Sequence, residues 1–156
     1  MRKLRKVSRR GIFVFAALVF TALGTAFAAD IPEDLKCMVC GKPALSDFAV
    51  DWNGGKVYLA CPNCKASFAG DKKSYAPLAN IQLIATRQAK QITCPLTGKK
   101  ASAANTVTIK GIKVRFCCNN CKGKAASLKE KEQLQLVFSN EAFKKAYKVT
   151  AADTVE

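Results

Sequence analysis

Cysteine pairs recur along this chain at one fixed distance, and that recurrence constrains the fold more than any other feature. An offset of 57 residues aligns Cys37-Met38-Val39-Cys40-Gly41-Lys42 with Cys94-Pro95-Leu96-Thr97-Gly98-Lys99 without a gap. The same offset sets Gly54, Lys56 and Val57 on Gly111, Lys113 and Val114. It also sets Cys61-Pro62-Asn63-Cys64-Lys65 on Cys118-Asn119-Asn120-Cys121-Lys122. A chain of 156 residues built as two copies of one unit leaves each copy a small core, so the cysteines are expected to help hold it together.

Each copy carries the same local pattern. Phe48, Val50 and Trp52 alternate with Ala49 and Asp51, Asn53-Gly54-Gly55 supplies a turn, and Val57 and Leu59 alternate again up to Cys61, which predicts a β-hairpin. Val107, Ile109, a turn at Lys110-Gly111, then Val114 and Phe116 repeat it. After the second cysteine pair the pattern turns helical, with Pro62 suited to a first turn and Gly70 to an end. Ala125 to Gln133 favours helix in the second copy. Ile81-Gln82-Leu83-Ile84 and Leu134-Gln135-Leu136-Val137 are expected as short strands, and Asn140 as the cap of a last helix through Tyr147.

The chain has no histidine, which excludes Ser-His-Asp and Cys-His catalysis, His-rich zinc active sites and a proton shuttle near neutral pH. Its 8 cysteines carry the chemistry. In the first copy Cys37, Cys40, Cys61 and Cys64 follow a C-x2-C, x20, C-x2-C pattern, in which both thiolates of each pair turn toward one ion and the hairpin brings the pairs together. Zinc is the expected occupant, with copper as the alternative. Lys36, Lys42, Lys56 and Lys65 are candidates to offset the negative charge of a four-thiolate zinc site. Structural disulfides remain the competing use of an even set of cysteines.

The second copy departs from that pattern. Thr97 stands where Cys40 does, so Cys94, Cys118 and Cys121 are the aligned ligands, with Cys117 as an additional thiol beside them. Alternation along a strand predicts that Cys117 cannot replace the missing ligand without local distortion. Three thiolates make an open site, which suits a metal that is sensed, exchanged or delivered, and soft ions such as Cu(I). A degenerate site, closure by Cys117 and a disulfide are the plainer readings.

Residues 1–28 read as an export signal: six basic residues within the first ten, an apolar stretch from Ile12 to Phe27, and Ala26-Phe27-Ala28 as a cleavage site. Ser8-Arg9-Arg10-Gly11-Ile12-Phe13 resembles a twin-arginine signal, and the Sec and twin-arginine routes both stay open. The expected compartment is the periplasm or the exterior, with no stable membrane anchor after cleavage. The chain's net charge of +15 falls to about +9 once the six basic residues are removed. That charge suits a solvated lysine surface, or an acidic envelope protein partner, better than nucleic acid.

Cys37-Met38-Val39-Cys40-Gly41-Lys42-Pro43 with Gly55 to Phe68, and Cys94 to Lys99 with Val114-Arg115-Phe116-Cys117-Cys118-Asn119-Asn120-Cys121-Lys122, resemble the YHS and TRASH domains. The resemblance covers roughly residues 37 to 80 and 94 to 147. It implies treble-clef-like modules that bind heavy metals through cysteine, in the second copy of the kind found in exported bacterial proteins, where serine or threonine often stands at the position of Thr97. The family's phenylalanine after the last cysteine is Ala125 in the second copy.

The expected fold is therefore α+β, with two tandem zinc-ribbon or treble-clef-like units at 29–86 and 87–156 after the signal. Two other uses stay open. Cys61-Pro62-Asn63-Cys64 at a strand-to-helix junction also fits a thiol-disulfide oxidoreductase, although each unit is about half the size of a thioredoxin-like scaffold. A disulfide-stapled or purely structural interaction module would use Trp52, Tyr58 and Arg115 as contacts.

Overall fold

Asn-Gly and Lys-Gly turns set the two hairpins. In the computed structural model, which describes residues 31–150, β1 (Leu45–Trp52) pairs antiparallel with β2 (Gly55–Leu59). Asn53 and Gly54 between them both have positive φ, 47° and 86°, as a two-residue turn that matches strand twist requires. The helices α1 (Pro62–Gly70) and α2 (Lys72–Ala85) follow, then the short strand β3 (Ala89–Gln91). In the second half β4 (Ser102–Ile109) pairs with β5 (Ile112–Phe116) through Lys110-Gly111, at φ 47° and 80°. Three helices, α3 (Asn119–Ala126), α4 (Glu130–Phe138) and α5 (Asn140–Ala146), lead to β6 (Tyr147–Val149). The described residues thus form a mixed α+β fold with five helices and three two-stranded antiparallel sheets. The signal read at 1–28 lies outside them.

The repeat is visible down to its irregularities. Each long strand carries a bulge, between Leu45 and Ala49 and between Ser102 and Thr106, 57 residues apart. The bridges Lys36 to Pro43 and Thr93 to Lys100 match likewise.

Four local expectations are corrected. Ile81–Ile84 is the end of α2, because Ala76, Ala79, Asn80 and Leu83 recur at helical spacing on one buried face, and a short apolar run carries no period of its own to oppose that. Leu134–Val137 lies in α4, begun by the Glu132 carboxylate accepting the Lys129 N–H at 3.1 Å. That start also splits the helical run expected over Ala125–Gln133. The cap of α5 is Ser139, whose hydroxyl accepts the Ala142 N–H, and Tyr147 leaves the helix to open β6. Asn140 is used elsewhere.

The two copies share one core. Val57, Leu59, Phe68 and Leu83 from the first pack in the same buried cluster as Val114, Phe116, Phe138 and Phe143 from the second. β3, in the segment that joins the two knuckle units, pairs with β6, the last strand of the described residues. Asn80 is fully buried at the junction: its carbonyl accepts from Trp52 Nε1 and Asn53 Nδ2, both at 2.8 Å, and its amide donates to Phe138 O at 2.9 Å and Asn140 Oδ1 at 3.2 Å. A buried amide satisfied from both halves fixes their register, since separating them would orphan it. Trp52 also packs edge-on against Phe68 and Tyr58 is buried, so these two aromatics serve the core, and Arg115 alone of the proposed contacts is exposed.

Candidate metal centre

Each first cysteine pair sits on a tight knuckle. The Cys37 N–H donates to Lys42 O and the Gly41 N–H to Cys37 O, at 2.8 and 2.9 Å, with Gly41 at φ 72°. Cys94, Lys99 and Gly98 repeat this at 2.9 and 2.8 Å, with Gly98 at φ 73°. A side chain at either glycine would be strained in that left-handed conformation, which the turn needs in order to fold back beside sulfur. Each second pair begins a helix: Cys61 is the N-cap residue of α1 and Cys118 of α3.

The hairpins bring the pairs together. In the first half the sulfurs of Cys37, Cys40 and Cys64 all lie within 4.8 Å of one another, and Cys61 Sγ is 3.4 Å from Cys64 Sγ. In the second half the mutually close trio is Cys94, Cys117 and Cys121. Cys117 Sγ lies 3.7 Å from both Cys118 Sγ and Cys121 Sγ, and 3.3 Å from the Thr97 hydroxyl. β5 ends at Phe116 and Cys117 occupies a bend, the local departure from strand alternation that Cys117 needs in order to reach the site. No disulfide joins any two of the eight cysteines.

Three sulfurs of each half are gathered, while the fourth, Cys61 or Cys118, contacts a neighbouring sulfur but stands outside the mutually close trio, so a tetrathiolate site needs that side chain to turn inward. Sulfurs bound at about 2.3 Å around a tetrahedral zinc stand about 3.8 Å apart. The 3.4 and 3.7 Å contacts need little adjustment to reach that. Lys56 pairs with Asp51 at 2.9 Å on the exposed side of the hairpin turn.

Backbone amides prepare four of the thiols for ionisation. Burial pushes Cys37 up, but the N–H groups of Cys40, Val39 and Ala60 outweigh it and the thiol ends below its ordinary value. Cys94 behaves alike: burial opposes, while the Thr97 hydroxyl and the N–H groups of Cys117, Thr97 and Leu96 bring it down to about 7. The N–H of Cys64 lowers Cys61, and that of Cys121 lowers Cys118. The second member of each helical pair goes the other way. Cys64 is pushed up to about 12, first by its contact with Cys61 and then by burial, and Cys121 to about 12, first by burial and then by Cys117 and Cys118. A cluster of thiols that shares protons in this way releases them when a cation takes their place.

Two glutamines that the sequence reading did not single out tie each knuckle to its hairpin. The Gln82 carbonyl accepts the Tyr58 N–H at 2.6 Å, and its amide donates to Tyr58 O at 3.0 Å and Lys36 O at 3.3 Å. Gln91 does the same to the matching residues of the second copy: it accepts from Arg115 N–H at 2.9 Å and donates to Arg115 O at 2.6 Å and Thr93 O at 2.8 Å. Each brace ends one residue before Cys37 or Cys94. Gln82 lies on α2 and Gln91 on β3, so the two are not related by the repeat offset and no spacing in the sequence announces them.

A cleft of about 440 Å³ adjoins the second cluster, bordered by Leu96, Thr97, Cys121, Lys124 and Lys145 among others. Among the described residues no helix is long and apolar enough to cross a membrane. The two cysteine clusters are thus groups of donors able to hold a metal ion, placed by a repeated knuckle, hairpin and helix. No family model matches the chain, and neither the curated proteins nor the solved structures contain a significant match.

Proposed function

We propose that this chain is a heavy-metal-binding protein of the bacterial envelope, built from two tandem YHS- or TRASH-like treble-clef units that hold zinc, with copper as the alternative ion. The observation that carries the reading is the gathering of thiols from sequence-distant pairs, Cys37 and Cys40 with Cys64, and Cys94 with Cys121. The first centre, Cys37, Cys40, Cys61 and Cys64, is structural. The second, built on Cys94, Cys118 and Cys121 beside Cys117, is the exchangeable one, because Thr97 and Cys121 border an open cleft through which an ion can enter or leave. Sensing and trafficking both need such a site, and an acidic envelope protein is the partner the basic surface favours. Metal analysis combined with a free-thiol count, on chain purified without reductant, tests this. Two equivalents of metal and few disulfides are expected, whereas four disulfides and no metal refute it.

One observation favours a second reading. Cys61 lies at a helix start with its pKa lowered, first by the Cys64 N–H, beside a Cys64 thiol 3.4 Å away, as in a thiol-disulfide oxidoreductase. Turnover of a disulfide substrate that is lost in Cys61→Ser would establish it. Retention of metal by the same chain under oxidising conditions favours the binding role.

A further inference from the structure

Cys64 Sγ lies 3.4 Å from Cys61 Sγ and within 4.8 Å of the sulfurs of Cys37 and Cys40, while Cys117 Sγ lies 3.7 Å from those of Cys118 and Cys121, and Cys121 Sγ within 4.8 Å of that of Cys94. Three of the four positions correspond by the repeat offset. The fourth does not: Cys40 of the first cluster is matched in space by Cys117, which aligns in sequence with Ala60. Cys117 replaces it in geometry as well as in contact, since Cys37, Cys40 and Cys64 form the close trio of one half and Cys94, Cys117 and Cys121 that of the other. Thr97, the sequence equivalent of Cys40, stays beside the same corner with its hydroxyl 3.3 Å from Cys117 Sγ.

The Thr97 oxygen accepts the Lys99 N–H at 3.3 Å and the hydroxyl keeps a single proton; toward a Cys117 thiolate, which carries none, it can only donate. The backbone has the same task at both aligned positions, because the Ala60 N–H reaches the Cys37 sulfur and the Cys117 N–H reaches that of Cys94. A cysteine at the position of Ala60 therefore adds a thiol at the wall of the site without altering the knuckle.

We propose that the second centre is a complete four-thiolate metal site of Cys94, Cys117, Cys118 and Cys121, in which Cys117 has taken the coordination corner of Cys40 and the Thr97 hydroxyl positions it by donating to its thiolate. The proposal rests on the metal-binding reading above and replaces the three-thiolate site expected from the alignment. It makes Thr97 a positioning residue and not a vacancy. An outer hydrogen bond of this kind orients a ligand and changes metal affinity by about 10- to 100-fold.

Cobalt(II) titration of the chain under anaerobic conditions tests it, because sulfur-to-cobalt charge-transfer absorption grows with the number of bound thiolates. The wild-type chain binds two equivalents. Cys117→Ala lowers the absorption at saturation by about one-eighth, one thiolate in eight, and weakens one of the two sites. Adding Thr97→Cys to Cys117→Ala restores both, by rebuilding the corner from the first copy's position. Thr97→Val alone keeps the full absorption and weakens that site about tenfold. Should Cys117→Ala not fold, as judged by circular dichroism, Cys117→Ser serves in its place. Unchanged absorption in a folded Cys117 variant, or no rescue by Thr97→Cys, overturns the proposal while leaving the metal-binding reading intact. A wild-type chain that takes up no cobalt overturns both.

Discussion

The two cysteine clusters have the same backbone and draw their sulfurs from different positions. Both have a knuckle closed by a left-handed glycine, a hairpin with a two-residue turn, and a helix that starts at a cysteine. Yet the corner occupied by Cys40 in one is reached by Cys117 in the other, and the glutamine that braces one knuckle comes from α2 while its counterpart comes from β3. What the copies preserve is therefore a set of points in space: sulfurs at certain corners, and an amide group against certain backbone atoms. The chain positions that supply them differ.

The largest test of that comparison removes a thiol from each half. Cys61→Ser and Cys118→Ser are each expected to weaken one of the two metal sites, and Cys61→Ser to destabilise the chain by at least about 3 kcal/mol, since structural zinc supplies about 10 kcal/mol or more of folding free energy. Val50→Ala, at a half-buried hairpin position, should cost only about 1 kcal/mol. Denaturant unfolding of the zinc-loaded variants measures the gap. Equal stabilities would mean that metal does not hold the first half together.

Asn80→Ala asks whether the halves are one unit. It leaves Trp52 Nε1 and Phe138 O without their partner and should cost about 2–4 kcal/mol in a single transition that both halves share. Two separate transitions in the wild-type chain would contradict the common core.

The glutamine braces should differ in strength though not in role. Gln82 is buried, so Gln82→Leu orphans the Tyr58 N–H and C=O at about 2–3 kcal/mol, while Gln91, only partly buried, should cost about 1 kcal/mol or less on the same change. Each substitution should also weaken cobalt binding in its own half.

The smallest expected effect is on the metal-free chain as a function of pH. Cys94 is lowered to about 7 from an ordinary 9.0, so between pH 7 and 9 the unfolded chain binds the extra proton and stability should rise. Cys64 and Cys121 are raised to about 12, so above pH 9 the folded chain holds protons that the unfolded chain has lost, and stability should fall. Melting of reduced, chelator-treated chain is thus expected to peak near pH 9. A steady decline from pH 7 would contradict the amide-prepared state of Cys94.

Those features that depend on nearest neighbours were legible in the sequence. Alternating Val57 and Leu59 around an Asn-Gly turn, and cysteine pairs two residues apart beside glycine, are short-range patterns with one structural solution. The helical state of Ile81–Ile84 was not, because a four-residue apolar run carries no period of its own and the deciding residues, Ala76 and Ala79, lie upstream. Alignment also hid the part played by Cys117, which differs from Cys118 only by standing one residue past the end of β5. Gln82 and Gln91 were beyond reach for a different reason: an uncharged side chain that bonds backbone atoms leaves no trace in composition or spacing. The site's donors could be read from residue type, but the parts that aim them depend on tertiary contact.

X-ray absorption at the zinc edge of the fully loaded chain measures the claim underlying all of this. A single shell of four sulfurs per metal at about 2.3 Å, with no oxygen or nitrogen neighbour, is predicted for both centres. A shell averaging fewer sulfurs with light atoms among them would contradict the four-thiolate account of the second centre. Failure to retain zinc at all would contradict the account of both.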